Sequence, residues 1–184
     1  MVLSGGIPDT LSVLAAGHRN AGACGLYGTG GWQLAWLPLF RRAGRVYVAL
    51  DRDATDRAIA LARTFGARGR VLIPPEDLGP KGDLNDWLRV GAKADPAVFR
   101  ALLEQALATS PTPWALQIQQ LPSDLAPWDL EDHSGVRDLL CELGHQGPLS
   151  RDVHLRLLAE RYGVAFVTLQ EAAGELARST DGEP

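Results

Sequence analysis

The sequence predicts an α/β fold: a mainly parallel four-stranded sheet flanked by helices over residues 1–107, followed by a small C-terminal helical region. Three observations predict it. Short apolar runs alternate with helix-length segments through residue 74, the pattern of βαβ crossovers, which imply a parallel sheet with covered faces. Glycine-rich or acidic turns follow the apolar runs, where ligands gather in sheets of this kind. Beyond residue 74 the strand-like runs stop, and residues 135–178 show only helical periodicity.

The elements follow in order. "MVLS" reads as a first strand, and "DTLSVLAAG" as a helix that Asp9 N-caps and Gly17 ends. "ACGLYG" is a second strand with a glycine-rich turn. "WQLAWLPLFRRAG" has helical spacing that Pro38 should end or kink. "RVYVALD" is a third strand, "ATDRAIALARTFG" a helix closed by Gly66, and "RVLIP" a fourth strand. "PPEDLGPKGD" is a loop, "LNDWLRVG" a short helix capped by Asp83, and "DPAVFRALLEQALATS" a helix with Asp95 at its N-cap and Pro96 at its first position. Residues 108–134, with four prolines and no clean period, read as a segment that wraps or links. Trp114 and Trp128 are its expected anchors. Residues 135–178 read as a helical subdomain, in which Val153, Leu157 and Leu158 share one face, and residues 179–184 as a disordered tail.

Composition narrows the function classes. With 184 residues, 46% hydrophobic and 22% charged, the chain matches an ordinary globular protein with a real core. No apolar run approaches the roughly 20 residues of a spanning helix. The start "MVLSGG" does not read as a secretory signal, so a cytoplasmic protein without membrane partners is expected. Cys24 and Cys141 have no ligand-like spacing and read as buried small hydrophobes. Charge is asymmetric: residues 1–74 hold nine Lys+Arg against four Asp+Glu, a formal +5, whereas residues 75–184 hold nine against eighteen, a formal −9. A basic half with few acids suits a polyanionic ligand, although solubility alone accounts for the same surface.

The chemistry concentrates in "VYVALDRDATDRA", where an apolar strand stops at Asp51 and Asp53. Two carboxylates so close repel, and Mg²⁺, which favours carboxylate oxygens and substrate phosphates, relieves the repulsion. The plainer alternative is that Asp53 caps the next helix while Asp51 ends the strand. The glycine turns "SGGIPD" and "LYGTGG" offer backbone N–H groups to phosphate, or simply turn the chain. "PKGDLNDWL" adds Lys81, Asp83, Asn85 and Asp86 near the same edge. Trp32 and Trp36, one turn apart, pack a helix on the sheet or stack on bases.

Taken in order, "GGIPD" (Gly5 to Asp9), "GTGG" (Gly28 to Gly31), "DRD" (Asp51 to Asp53) and "KGDLNDWL" resemble the motif set of the Toprim family, and the last segment resembles that of primases and phage primase-helicases. The resemblance implies a Toprim-like domain over 1–107. It implies a DNA primase-type nucleotidyltransferase that makes RNA primers on single-stranded DNA from nucleoside triphosphates. Asp51, Asp53 and Asp9 would be catalytic, Asp51, Asp53 and Asp83 would hold Mg²⁺ or Mn²⁺, and Lys81, Gly28, Thr29 and Gly30 would contact phosphate. A helicase, or the zinc-binding and basic modules that precede the domain in primases, would be partners. "LSRDVHLRLLAERYGVAFVTLQE" is similar to the helical segment that follows the module in bacterial primases. The chain departs from the pattern at the family's glutamate, where it has Gly5, and at the small residue after Asp-x-Asp, where it has Asp56. Gly5 opens an alternative, a degenerate module that binds DNA or nucleotide within a replication assembly. A Toprim nuclease is the third option.

Overall fold

The computed structural model describes residues 1–17, 22–28 and 31–181, the side chain of Asp181 excepted. It divides into two compact units, residues 1–113 and 114–184.

The first unit is α/β. Its sheet holds β1 (Val2–Ser4), β2 (Ala23–Gly25), β3 (Val46–Ala49) and β4 (Gly69–Val71), in the order β2-β1-β3-β4. Every pairing is parallel, with Val2 opposite Ala23 and Tyr47, and Tyr47 opposite Arg70. In β1, β3 and β4 branched and aromatic residues such as Val2, Val46, Tyr47, Val48 and Val71 suit a pleated strand, whereas β2 is Ala-Cys-Gly and only half-buried to exposed. Val2, Val46 and Val48 are fully buried. All four strands point the same way, so their carboxyl ends form one edge.

The helices between the strands hold the sheet. α1 (Ile7–Ala15) packs on β1 and β2, and α2 (Thr55–Arg63) on β3 and β4. A short α3 (Leu84–Asp86) runs into a wider turn of π geometry over Trp87–Gly91, and α4 (Pro96–Thr109) follows. Asp95 caps α4 with its carboxylate on the Ala97 and Val98 N–H groups and Pro96 at the first position, as the sequence indicated. Phe99, Leu103 and Trp87 join Val2, Val13 and Leu84 in one core cluster.

Two expectations change here. α1 begins at Ile7 with Gly6 as its N-cap, and Asp9 lies inside its first turn, buried. Pro8 is the reason, because proline without an N–H is accommodated in the first turn and draws the N-cap three residues back, from Asp9 to Gly6. The segment expected as a helix around Pro38 is a 3₁₀ helix over Leu34–Phe40, and it carries Pro38 inside it. Trp32 packs with Phe40 and Phe65 at 5.7 and 5.3 Å between ring centroids.

The second unit is helical. The stretch that reads as a connector carries α5 (Pro113–Gln120), followed by α6 (Ser134–Gly144), α7 (Pro148–Tyr162) and α8 (Phe166–Asp181). Pro113 opens α5 and Pro122 lies just beyond its end, so the prolines bound a helix instead of excluding one. Trp114 is buried in the unit's core, whereas Trp128 is 79% exposed and anchors nothing there. The connector is tied down by α7, where Arg161 Nη2 donates to the Leu121 carbonyl at 2.6 Å and the Tyr162 hydroxyl to that of Pro122 at 2.7 Å. α8 continues through residues 179–181 of the expected disordered tail, and 182–184 lie outside the described residues.

The buried face of α7 is His154, Leu155, Leu158, Ala159 and Tyr162, not the face containing Val153 and Leu157, which are exposed. Spacings of three and four from Leu155 and Leu158 give a continuous stripe, and Val153 falls outside it. Leu155→Ala is expected to destabilise this unit by about 2–5 kcal/mol, read as a lower urea midpoint. Cys24 and Cys141 are free and half-buried. Among the described residues, no helix is long and apolar enough to cross a membrane.

Candidate functional site

Three carboxylates meet at the carboxyl edge of the sheet: Asp9, Asp51 and Asp83 each offer an oxygen, and the three oxygens lie within 4.8 Å of one another. Each arrives by a different local route. Asp9 rides on the first turn of α1, immediately after β1. Asp51 follows β3, where the chain turns into a 3₁₀ turn over Arg52–Ala54. Asp83 is the N-cap of α3 and accepts the Asp86 N–H at 2.7 Å, as the sequence led us to expect.

Backbone links hold the three together. The Asn85 N–H donates to Asp9 Oδ1 at 3.1 Å, joining segments 76 residues apart. The Arg52 N–H donates to the Gly82 carbonyl at 3.2 Å, which pins the Asp83 loop to the end of β3. Arg52 also reaches the next loop, donating from Nη1 to the Pro74 carbonyl at 2.6 Å and pairing with Glu76 at 3.3 Å. Gly82 is required at its position, because a Cβ there would lie 2.5 Å from Leu78 Cβ.

The electrostatics are those of crowded like charges. Asp9 is raised from 3.8 to about 6, first by burial and then by the Asp83 charge, with Asp51 contributing, against the opposing hydrogen bonds from Asn85 and Leu84. Asp51 is raised by burial first, then by Asp83 and Asp53. Without a counter-charge the fully ionised cluster is unfavourable, and protonation or a cation relieves it. The donor set fits a hard divalent ion. Mg²⁺ and Mn²⁺ take oxygen ligands, and oxygens gathered within 4.8 Å of one another need only small side-chain movements to meet on one such ion. Asp9 Oδ1 is engaged by Asn85, and Asp51 makes no capping bond, which leaves oxygens for a cation.

Gly5 faces this cluster. A Cβ built on it would stand 3.7 Å from Asp51 Oδ1 and 3.9 Å from Asp9 Oδ2, both ordinary contacts. Its backbone lies outside the left-handed region, so other residues fit the position.

The structure thus brings Asp9, Asp51 and Asp83 together. Asp53 is exposed and outside the triad, acting on Asp51 through its charge alone, because the 3₁₀ turn after Asp51 carries it away. Asp56 is exposed in the first turn of α2. Lys81 is exposed two residues before Asp83. Gly28 is exposed with φ of +75°, in the turn where the Gly31 N–H donates to its carbonyl. Thr29 and Gly30 lie outside the described residues. The Asn85 N–H is the contact that sequence reasoning missed; no local pattern announces a backbone donor reaching across 76 residues.

No protein-family model matches the chain, and no curated protein matches it significantly in sequence.

Proposed function

We propose that the chain is a primase-type Toprim module that carries out metal-dependent nucleotidyl transfer on single-stranded DNA. The observation that carries this reading is the convergence of Asp9, Asp51 and Asp83 from three of the motifs that resemble the family. In this reading Asp9, Asp51 and Asp83 hold Mg²⁺ or Mn²⁺, and Asp53 adds negative charge at the rim. A bound divalent ion supplies neutralisation of triphosphate charge and polarisation of the reacting oxygens. Asn85 and Gly82 keep the carboxylates in place through their backbone groups, and Arg52 braces the loop. Lys81, Gly28, Thr29 and Gly30 contact phosphate. Nucleoside triphosphates and a single-stranded template are the substrates, in the cytoplasm, with a helicase or preceding primase modules as partners.

The test is nucleotide incorporation on a single-stranded oligonucleotide template with Mn²⁺. The parent should incorporate, and Asp51→Asn should lose at least about a hundredfold while its circular dichroism is unchanged. Equal incorporation by the two proteins would sink the assignment.

Gly5 favours a second reading. The position where the resembled pattern has its glutamate has no side chain, so position 5 supplies no carboxylate for acid–base work. The module would then bind nucleic acid or nucleotide without catalysis. Binding of template by the parent with no incorporation, and incorporation by Gly5→Glu, would select this reading.

A further inference from the structure

The amino edge of the sheet, opposite the carboxylates, holds an unbalanced set of arginines. All nine basic residues among the first 74 are arginine, and five of them, Arg41, Arg42, Arg45, Arg68 and Arg70, flank the amino ends of β3 and β4. Arg68 has a structural task, because its Nη1 donates to the carbonyls of Phe40 and Ala43 at 2.8 and 3.0 Å. That clamp fixes the loop that presents Arg42 and Arg45.

Arg42 and Arg45 are exposed and line an open hollow of about 590 Å³ together with Leu39, Gly44 and Tyr47. No carboxylate lines it. Arg70 stands beside Tyr47 in the strand register and spends Nη1 on the carbonyls of Ala67 and Gly69. Among the described residues, no carboxylate pairs with Arg42, Arg45 or Arg70.

We infer that this hollow is a binding surface for the phosphodiester backbone of single-stranded nucleic acid, gripped by Arg42 and Arg45, with Arg70 adding positive charge nearby. Guanidinium is the group suited to it, because its planar fork donates two parallel hydrogen bonds to a phosphate. The arginines are spread along the rim of an open hollow, which suits a chain of phosphates better than one phosphate group. Leu39 and the Tyr47 ring offer an apolar floor to sugar or base, the usual companion of charge in single-strand grooves. Arg70 shows the cost of leaving the set unbalanced: burial first, and then the Arg45 charge, lower its pKa from the ordinary guanidinium value. The inference goes beyond the carboxylate site and needs no metal.

Fluorescence anisotropy of the full chain with a labelled oligo-dT strand, in EDTA, tests it without engaging the triad. The parent should bind, and Arg42→Gln/Arg45→Gln should weaken binding about tenfold or more at about 50 mM salt and lower the slope of log affinity against log salt by about 1.4. Arg89→Gln, an exposed arginine elsewhere in the unit, should stay within about twofold of the parent. Absence of binding by the parent would overturn the inference. So would equal losses in Arg89→Gln and the double variant, tighter binding of duplex, or displacement by tripolyphosphate at matched phosphate concentration, which would mark a site for short phosphates.

Discussion

Replacing Asp9 with asparagine should make the metal-free protein more stable at pH 7.5 and abolish its stabilisation by Mn²⁺. The amide keeps the carbonyl oxygen that Asn85 N–H contacts and removes one charge from a crowded cluster. Asp9 ionises in the folded state only near pH 6, against 3.8 ordinarily. The folded state therefore holds a proton that the unfolded chain has released, and stability from this group falls as pH rises from about 3.8 through 6 and stays lowered above it. At pH 7.5 the relief in Asp9→Asn should be about 1–2 kcal/mol, less than the whole shift because water screens the open side of the site. Below pH 4 parent and variant should unfold alike. Mn²⁺ reverses the trend in the parent: the ion competes with the proton, so its stabilisation grows with pH, reaching about 2.7 kcal/mol at a hundredfold excess over Kd. Thermal unfolding at pH 4, 5.5 and 7.5, with and without Mn²⁺, reads both effects. A variant that is less stable at pH 7.5, or that keeps the Mn²⁺ effect, contradicts the account of the cluster.

Gly5→Glu should move stability in two directions. The position accepts a side chain without backbone strain, and its Cβ would face Asp51 and Asp9 at ordinary contact distance. A fourth carboxylate there adds repulsion, so the metal-free variant should be less stable than the parent at pH 7.5. With Mn²⁺ the same carboxylate becomes a further oxygen ligand, and the affinity should rise about tenfold or more, since charge count tunes such sites. A loss of metal-free stability with unchanged Mn²⁺ affinity would mean that position 5 does not serve the ion.

The sequence made some of this site legible and hid the rest for physical reasons. β3 could be read because Val46, Val48, Ala49 and Leu50 are buried in a continuous apolar run that Asp51 stops. Asp83 could be read as a cap because its bond to the Asp86 N–H is local. Asp9 reads locally as a cap, but Pro8 shifts the helix start and leaves its carboxylate beside Asp51 and Asp83. Asp53 looked equivalent to Asp51 from spacing alone, but the turn between them separates their directions. The meeting of Asp9 with the Asp83 loop is tertiary and has no local signal. In the second unit the prolines of the connector concealed α5, because Pro113 at a helix start and Pro122 beyond its end read one by one as breakers. The arginines of the amino edge are dispersed in sequence from 41 to 70, and only the parallel register gathers them.

The most direct measurement is a calorimetric titration of Mn²⁺ into the parent chain at pH 7.5 and pH 5, with Asp51→Asn alongside. The account predicts one site in the parent, weaker at pH 5 by at least about tenfold as Asp9 takes up its proton, and no binding by Asp51→Asn. Binding that is equal in parent and Asp51→Asn, or absent from the parent at pH 7.5, would contradict the claim that these carboxylates form a metal centre.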